Sequence, residues 1–216
     1  MLLVTFGTRP EYIKIDPVLK EMKKRNLPYK TFFTGQHKDL LKNIDKPDYE
    51  LSIIEGPNRL DSIVQSILNK EEIFKDITCV MVQGDTSSAF GTALAAFHRK
   101  IPVAHLEAGL RTYDKYSPYP EEFNRCAISA LAEIHLCPTN TSASNLKKEK
   151  RKNVHVVGNT VLDNLSDISV TENNKVIVTL HRREKHDNIK EWFLAVNQLS
   201  LKHGDLDFLL PIHPNP

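Results

Sequence analysis

Strand-length apolar runs alternate with helix-length segments along most of this chain, and few architectures accept that order. Strands are expected at Leu2–Thr5, Lys30–Phe33, Glu50–Ile54, Cys79–Gln83, Val103–Leu106, His135–Pro138 and Val154–Val157. Helices are expected between them at about Glu11–Arg25, Leu60–Lys75, Ser87–Arg99, Glu122–Ala132 and Thr141–Lys148. The strands are near-continuous Val, Ile, Leu and Phe, the mark of a sheet buried on both faces. This alternation predicts an α/β fold, a Rossmann-like parallel sheet with helices on both faces. Thr8 and Glu11 have capping-box spacing, with Pro10 in the first turn, and Pro17 is expected to kink the helix that they start.

The alternation closes near Gly158-Asn159-Thr160. Residues 1–165 read as one N-terminal domain carrying most of the polar motifs, and residues 166–174 (SDISVTENN) as a polar, aperiodic linker. A strand at Lys175–Leu180, a helix at about Ile189–His203 and a strand at Phe208–Ile212 follow. The helix carries Trp192, Phe193, Val196 and Leu199 as an apolar stripe. Residues 175–216 hold too few elements for an independent α/β domain and read as its incomplete start, so that the chain looks cut in mid-domain.

Composition narrows the classes. At 216 residues and 40% hydrophobic content, the chain can bury one good core and the beginning of a second. A net charge of +2 supplies no general basic field for nucleic acid or a membrane surface. No apolar run of about 20 residues suggests a transmembrane helix. The first strand begins at Met1-Leu2-Leu3, which leaves no room for a cleavable leader. Cys79, Cys126 and Cys137 sit in apolar runs without Cys-x-x-Cys spacing and read as buried free thiols in a reducing compartment, so a cytoplasmic location is expected. No His-Glu-x-x-His or similar ligand spacing points to a metal, and no Gly-x-Gly-x-x-Gly follows a strand, which disfavours a nicotinamide cofactor.

Chemistry gathers at strand ends, where open α/β sheets place their ligands. In Val103-Ala104-His105-Leu106-Glu107-Ala108-Gly109-Leu110-Arg111 an acid follows a buried-looking strand, and Ala108-Gly109 is no helix start, so Glu107 has no capping task. Asp85 in Gln83-Gly84-Asp85-Thr86 reads, taken alone, as a helix N-cap. Gly7-Thr8-Arg9-Pro10-Glu11 reads either as a capped turn or as an anion site, where Gly7 lets a ligand approach and Arg9 and Lys14 supply charge. Glu121 and Glu122 complement a helix dipole or serve a site under the loop Arg111–Pro120, with Arg125 one turn on to orient Glu121 or meet an anion. His181, Arg182 and Arg183 follow a strand and suit either diphosphate binding or a solvated loop, and His213 is equally ambiguous. The run Lys147–Lys152 has no interleaved aromatics and reads as a solvated helix end.

Taken together, FGTRPEYIK, TGQH, QGDTSSAF, HLEAGLRT, SPYPEEFNR, GNTVLDNL, THRRE and IHPNP occur in the order and spacing of one family. The chain resembles the non-hydrolysing UDP-N-acetylglucosamine 2-epimerases over essentially its whole length. The resemblance implies the first half of a two-domain B-type glycosyltransferase (GT-B) architecture, with the active site in the cleft. It implies interconversion of UDP-GlcNAc and UDP-ManNAc for surface polysaccharide synthesis, by elimination of UDP to 2-acetamidoglucal and re-addition. Carried over by motif, Asp85, Glu107 and Glu121 are the acid/base carboxylates and His181 a fourth catalytic residue. Arg9, Lys14, Arg125, Arg182 and His213 would meet the substrate, and Gln36 and His37 match a segment that binds a second UDP-GlcNAc as activator in bacterial members. No cofactor is implied, and the partner is a second copy in a homodimer.

Two departures stand out. Lys185-His186-Asp187-Asn188 replaces the family's small, glycine-containing turn, and most of the uridine-binding surface would lie beyond IHPNP. Competing readings are the hydrolysing relative that releases ManNAc and UDP, a glycosyltransferase of the same architecture, and a truncated or split-gene product inactive without its other half.

Overall fold

The computed structural model describes residues 1–37, 44–166, 168–169, 171–179 and 189–211. The chain divides into two units, Met1–Asp167 and Ile168–Pro216. The first is built on seven strands: β1 (Leu2–Phe6), β2 (Tyr29–Phe33), β3 (Tyr49–Glu50), β4 (Cys79–Gln83), β5 (Val103–Leu106), β6 (Ile134–Cys137) and β7 (Val154–Val156). Their order in the sheet is β3-β2-β1-β4-β5-β6-β7, and every pair is parallel. Five helices connect them: α1 (Arg9–Lys24), α2 (Arg59–Leu68), α3 (Ser87–His98), α4 (Glu121–Leu131) and α5 (Asn140–Lys148).

Alternate residues of the strands feed the two faces, as the pleat requires. One layer packs Leu3, Phe32, Val80 and Val82 with Ile63 and Ile67 of α2, Ala89 and Ala93 of α3 and Ile128 of α4. The other packs Val4, Phe6 and Phe33 with Ile15 and Met22 of α1. This is the expected Rossmann-like α/β fold. In the second unit, β8 (Lys175–Ile177) and β9 (Asp207–Leu209) pair in parallel, and α6 (Ile189–Lys202) stands between them in sequence. Trp192 and Leu199 of its apolar stripe are 47% and 48% exposed. No helix among the described residues is long and apolar enough to cross a membrane.

Several expected elements change on inspection. The third strand is two residues, not Glu50–Ile54: the chain leaves the ladder after the Leu51 N–H bond to Phe33, and Ile54 is 70% exposed. That strand is an edge, with a partner on one side only. The segment Leu60–Lys75 is not one helix. It stops at Asn69, and a separate 3₁₀ turn, Glu72–Phe74, swings Ile73 and Phe74 into the core. The strands of the second unit are also shorter, since Val178–Thr179 and Leu210 are outside the ladder. Cys137 is buried, whereas Cys79 and Cys126 are only partly so.

Pro17 lies inside α1, and the helix runs through it. Proline has no N–H, so the carbonyl four residues earlier, that of Ile13, loses its helical partner. A 3₁₀ turn at Thr160–Leu165, which the apolar pattern did not suggest, replaces it: Asn164 Nδ2 donates to the Ile13 carbonyl at 2.6 Å, and Thr160 Oγ1 donates to that of Lys14 at 2.6 Å. The GNTVLDNL motif is thus a brace on α1 directly below Lys14. Asn164→Ala is expected to destabilise the chain by about 1 kcal/mol in urea unfolding. In a Pro17→Ala background, whose new N–H can bond Ile13, that cost should largely disappear; an undiminished cost would contradict the brace.

Candidate functional site

The chain moves outward from β1 to β2 and β3 and then returns to lay β4 on the other side of β1. The carboxyl ends of β1 and β4 therefore flank the point where strand order reverses, the place where such sheets open a crevice. The loops after β1, β4 and β5 meet there.

Glu11 fastens the first two. It is 2% exposed, and its carboxylate accepts from Gly7 N at 2.9 Å, Thr8 N at 2.7 Å and Thr86 Oγ1 at 2.7 Å. Thr8 returns the capping-box bond to Glu11. Burial pushes the Glu11 carboxyl up, against the hydrogen bonds that pull it down. The space beside Gly7 is filled by protein: an added Cβ would lie 2.2 Å from both the Ser88 and Thr34 hydroxyl oxygens. Gly7 therefore serves close packing between the loops and does not open the backbone to a ligand.

Asp85 does not cap α3, because Thr86 does, accepting from Ala89 N. Its carboxylate instead receives Arg125, through Nε at 3.0 Å and through Nη2. Arg125 thus pairs with Asp85 and, at 3.1 Å, with Glu122; it does not orient Glu121. Asn124 of the same turn donates to the Asp85 carbonyl at 2.9 Å, which brings the start of α4 against the β4 loop. Glu121, the first residue of α4, is half-buried and has no hydrogen bond or ion pair among the described residues.

Glu107 takes a left-handed backbone, with φ of 65°. A non-glycine residue there costs on the order of 1 kcal/mol and persists only where its surroundings demand it. Here the turn delivers its carboxylate to Lys14 Nζ and to Gln83 Nε2, each at 2.5 Å. Arg9 is exposed at the start of α1 and has no partner among the described residues. The structure brings together Asp85, Glu107, Lys14 and Arg125, with Arg9 and Glu121 at the first positions of α1 and α4. His181, Arg182 and His213 lie outside the described residues.

Gln36 and His37 stand to one side. The Gln36 side chain accepts from Ser88 Oγ at 2.6 Å, and its carbonyl accepts from Arg59 at 2.8 Å. A cavity of about 550 Å³ opens beside Gly35, Gln36, His37, Glu55 and Arg59. Burial, and then the Arg59 charge, lower the His37 imidazole.

Three further residues complete this frame. His105 is fully buried under the β4 loop, with Nε2 2.7 Å from the Gly84 carbonyl. Glu122 is 2% exposed, far more buried than an acid complementing a helix dipole requires. Arg111, with a side chain 1% exposed, is spent on Glu149 at 2.7 and 2.9 Å and on Ser129.

The paired acids and cations lie at the switch point of a parallel α/β sheet, where such sheets place their ligands. Residues 20–216 match the family model described as UDP-N-acetylglucosamine 2-epimerase. The chain belongs to that family. It is 39% identical over its full length to the UDP-N-acetylglucosamine 2-epimerase of Neisseria meningitidis serogroup A, 39% to that of Campylobacter jejuni and 37% to that of Bacillus subtilis. It spans 66%, 65% and 63% of those relatives, less than two thirds of each. A crystal structure of the N. meningitidis enzyme bound to UDP-GlcNAc superposes with a TM-score of 0.85 at 37% identity, covering all of this chain and 66% of that one. An S. aureus MnaA-UDP structure gives 0.84 at 34% identity, covering all of this chain and 63% of that one. Acinetobacter baumannii MurG, at 14% identity and a TM-score of 0.55, shares the fold alone.

His105 gives the frame a pH dependence. Burial lowers its imidazole from 6.5 to about 4. A histidine depressed in the folded state contributes fully above pH 6.5, and that contribution is lost as pH falls through the folded value. The stability difference between the wild type and His105→Gln should therefore shrink by about 3 kcal/mol from pH 6.5 to pH 4 in urea unfolding. A difference constant with pH would refute the assignment.

Proposed function

We propose that this chain supplies the proton-transfer face of an enzyme that interconverts UDP-GlcNAc and UDP-ManNAc. One observation carries the reading: three carboxylates on converging strand-end loops are partnered differently. Glu107 is held by Lys14 and Asp85 by Arg125, while Glu121 has no partner among the described residues. Epimerisation at C2 needs a base to remove a weakly acidic proton and an acid to return one on the other face. Loss of that proton with departure of UDP from C1 gives 2-acetamidoglucal, and re-addition of UDP inverts C2. Glu121 is open to a bound ligand, and Asp85 and Glu107 are held in fixed positions by their cations, so that the three can act on different faces of one carbon. Arg9 and Lys14 stand at the start of α1, where an anionic phosphate is favoured.

The bound UDP-GlcNAc and UDP of the related structures support this substrate class. By motif, His181 is a further candidate catalytic residue, and Arg182 and His213 are candidate substrate contacts. The cavity beside Gln36 and His37, with Arg59 at its wall, suits a second nucleotide sugar.

The test is proton NMR of UDP-GlcNAc with this chain in D2O. UDP-ManNAc carrying deuterium at C2 is the expected product, whereas free ManNAc plus UDP would move the protein to the hydrolysing type. Glu121→Gln, Glu107→Gln and Asp85→Asn should each lower kcat by about 100-fold or more, the scale of a lost general acid or base. Full activity in all three variants would sink the reading.

A further inference from the structure

We propose that Glu122, beside the candidate catalytic residue Glu121, is a positioning residue that fixes Arg125 against Asp85 and ties the loop before α4 to the same point. The inference rests on the reading of Asp85 given above.

Glu122 is 2% exposed, and each of its oxygens has a distinct task. Oε1 accepts the backbone N–H groups of Thr112 and Tyr113, both at 2.9 Å, and so pins the start of the loop. Oε2 accepts Nη1 of Arg125 at 3.1 Å, one helical turn on. The opposite edge of that guanidinium, Nε and Nη2, is given to Asp85 Oδ2. Arginine is long and flexible, but its donors form a rigid planar fork. One carboxylate would leave the plane free to swing about the contact, and two on different edges fix it. A buried carboxylate is costly unless its hydrogen bonds are made, and Glu122 accepts three from nitrogen donors on two separate pieces of the site, besides a long contact from the Cys126 thiol.

The arrangement makes the loop and the acid mechanically one. Tyr113, Tyr116 and Tyr119 project from this loop at 70%, 68% and 63% exposure, so whatever meets those rings is registered to Asp85 through Glu122 and Arg125.

Glu122→Gln separates positioning from simple support. Its amide oxygen can still accept both backbone N–H groups, but its NH2 would face Nη1 of Arg125, donor against donor. Side-chain NMR of the 216-residue chain should show exchange of the Arg125 Nε–H accelerated about tenfold or more, with the Thr112 and Tyr113 amides changed by less than about threefold. Asp85→Asn should weaken the same Nε–H bond. With UDP-GlcNAc, kcat of Glu122→Gln should fall by about 10- to 100-fold while KM stays within about threefold, as for a displaced catalytic group. Unchanged Arg125 exchange in Glu122→Gln, in a chain that still melts cooperatively, would overturn the proposal. The exchange measurement needs no turnover, so a wild-type chain silent toward UDP-GlcNAc would count against the functional reading, and the Arg125 signal would still decide the positioning role.

Discussion

A buried carboxylate clasps the loops on which the candidate site is built. Glu11 joins the backbone after β1 to the hydroxyl of Thr86, which itself caps α3. Arg9 and Lys14 follow from the first loop, and Asp85 immediately precedes Thr86. An uncompensated carboxylate at this depth would cost several kcal/mol, so Glu11 is tolerable only while all three donors are in place. Residues that must present charge to a ligand cannot supply this rigidity themselves without losing their freedom to react. The clasp lets the exposed groups remain underused while the backbone beneath them does not move.

The same division runs through the rest of the site. His105 holds the Gly84 carbonyl from below, and the 3₁₀ turn holds α1 at Ile13 and Lys14. Glu107 accepts a left-handed backbone so that its carboxylate meets Lys14 and Gln83. Three acids of similar chemistry thereby acquire different partners: Lys14 and Gln83 for Glu107, Arg125 for Asp85, and none among the described residues for Glu121.

Much of the frame was legible in the residues. Continuous apolar runs between helical segments identified a parallel sheet, because only a sheet covered on both faces buries every residue of its strands. The Thr8–Glu11 spacing identified the start of α1, since a capping box is a local interaction. What escaped were partnerships between segments distant in sequence. Asp85 satisfied every local rule for an N-cap, yet Thr86 takes that task, and Arg125, 40 residues on, takes the carboxylate. Glu121 and Glu122 read alike, as dipole-complementing acids or as site acids under the loop, and only burial and three nitrogen donors set Glu122 apart. Periodicity ranks the faces of a helix; it does not say which of two adjacent acids turns inward. The hydrogen bond lost at Pro17 is legible because it is local, whereas the compensating Asn164 is 151 residues away from Ile13.

Charge balance at the switch point explains how the chemistry divides. Asp85 and Glu107 are committed to Arg125 and Lys14, while Glu121 and Arg9 have no partner among the described residues. Such a set is nearly neutral, which suits moving a proton between faces of a sugar but does little to stabilise a departing diphosphate. A leaving group with two or more negative charges needs cations whose charge is not consumed by neighbouring acids. Among the described residues Arg9 meets that requirement, exposed at the first position of α1 and without a partner. Its charge stays available because Asp85 and Glu107 are already matched by Arg125 and Lys14. Pairing the acids with other cations therefore keeps one cation of the strand-end loops open to an anionic group.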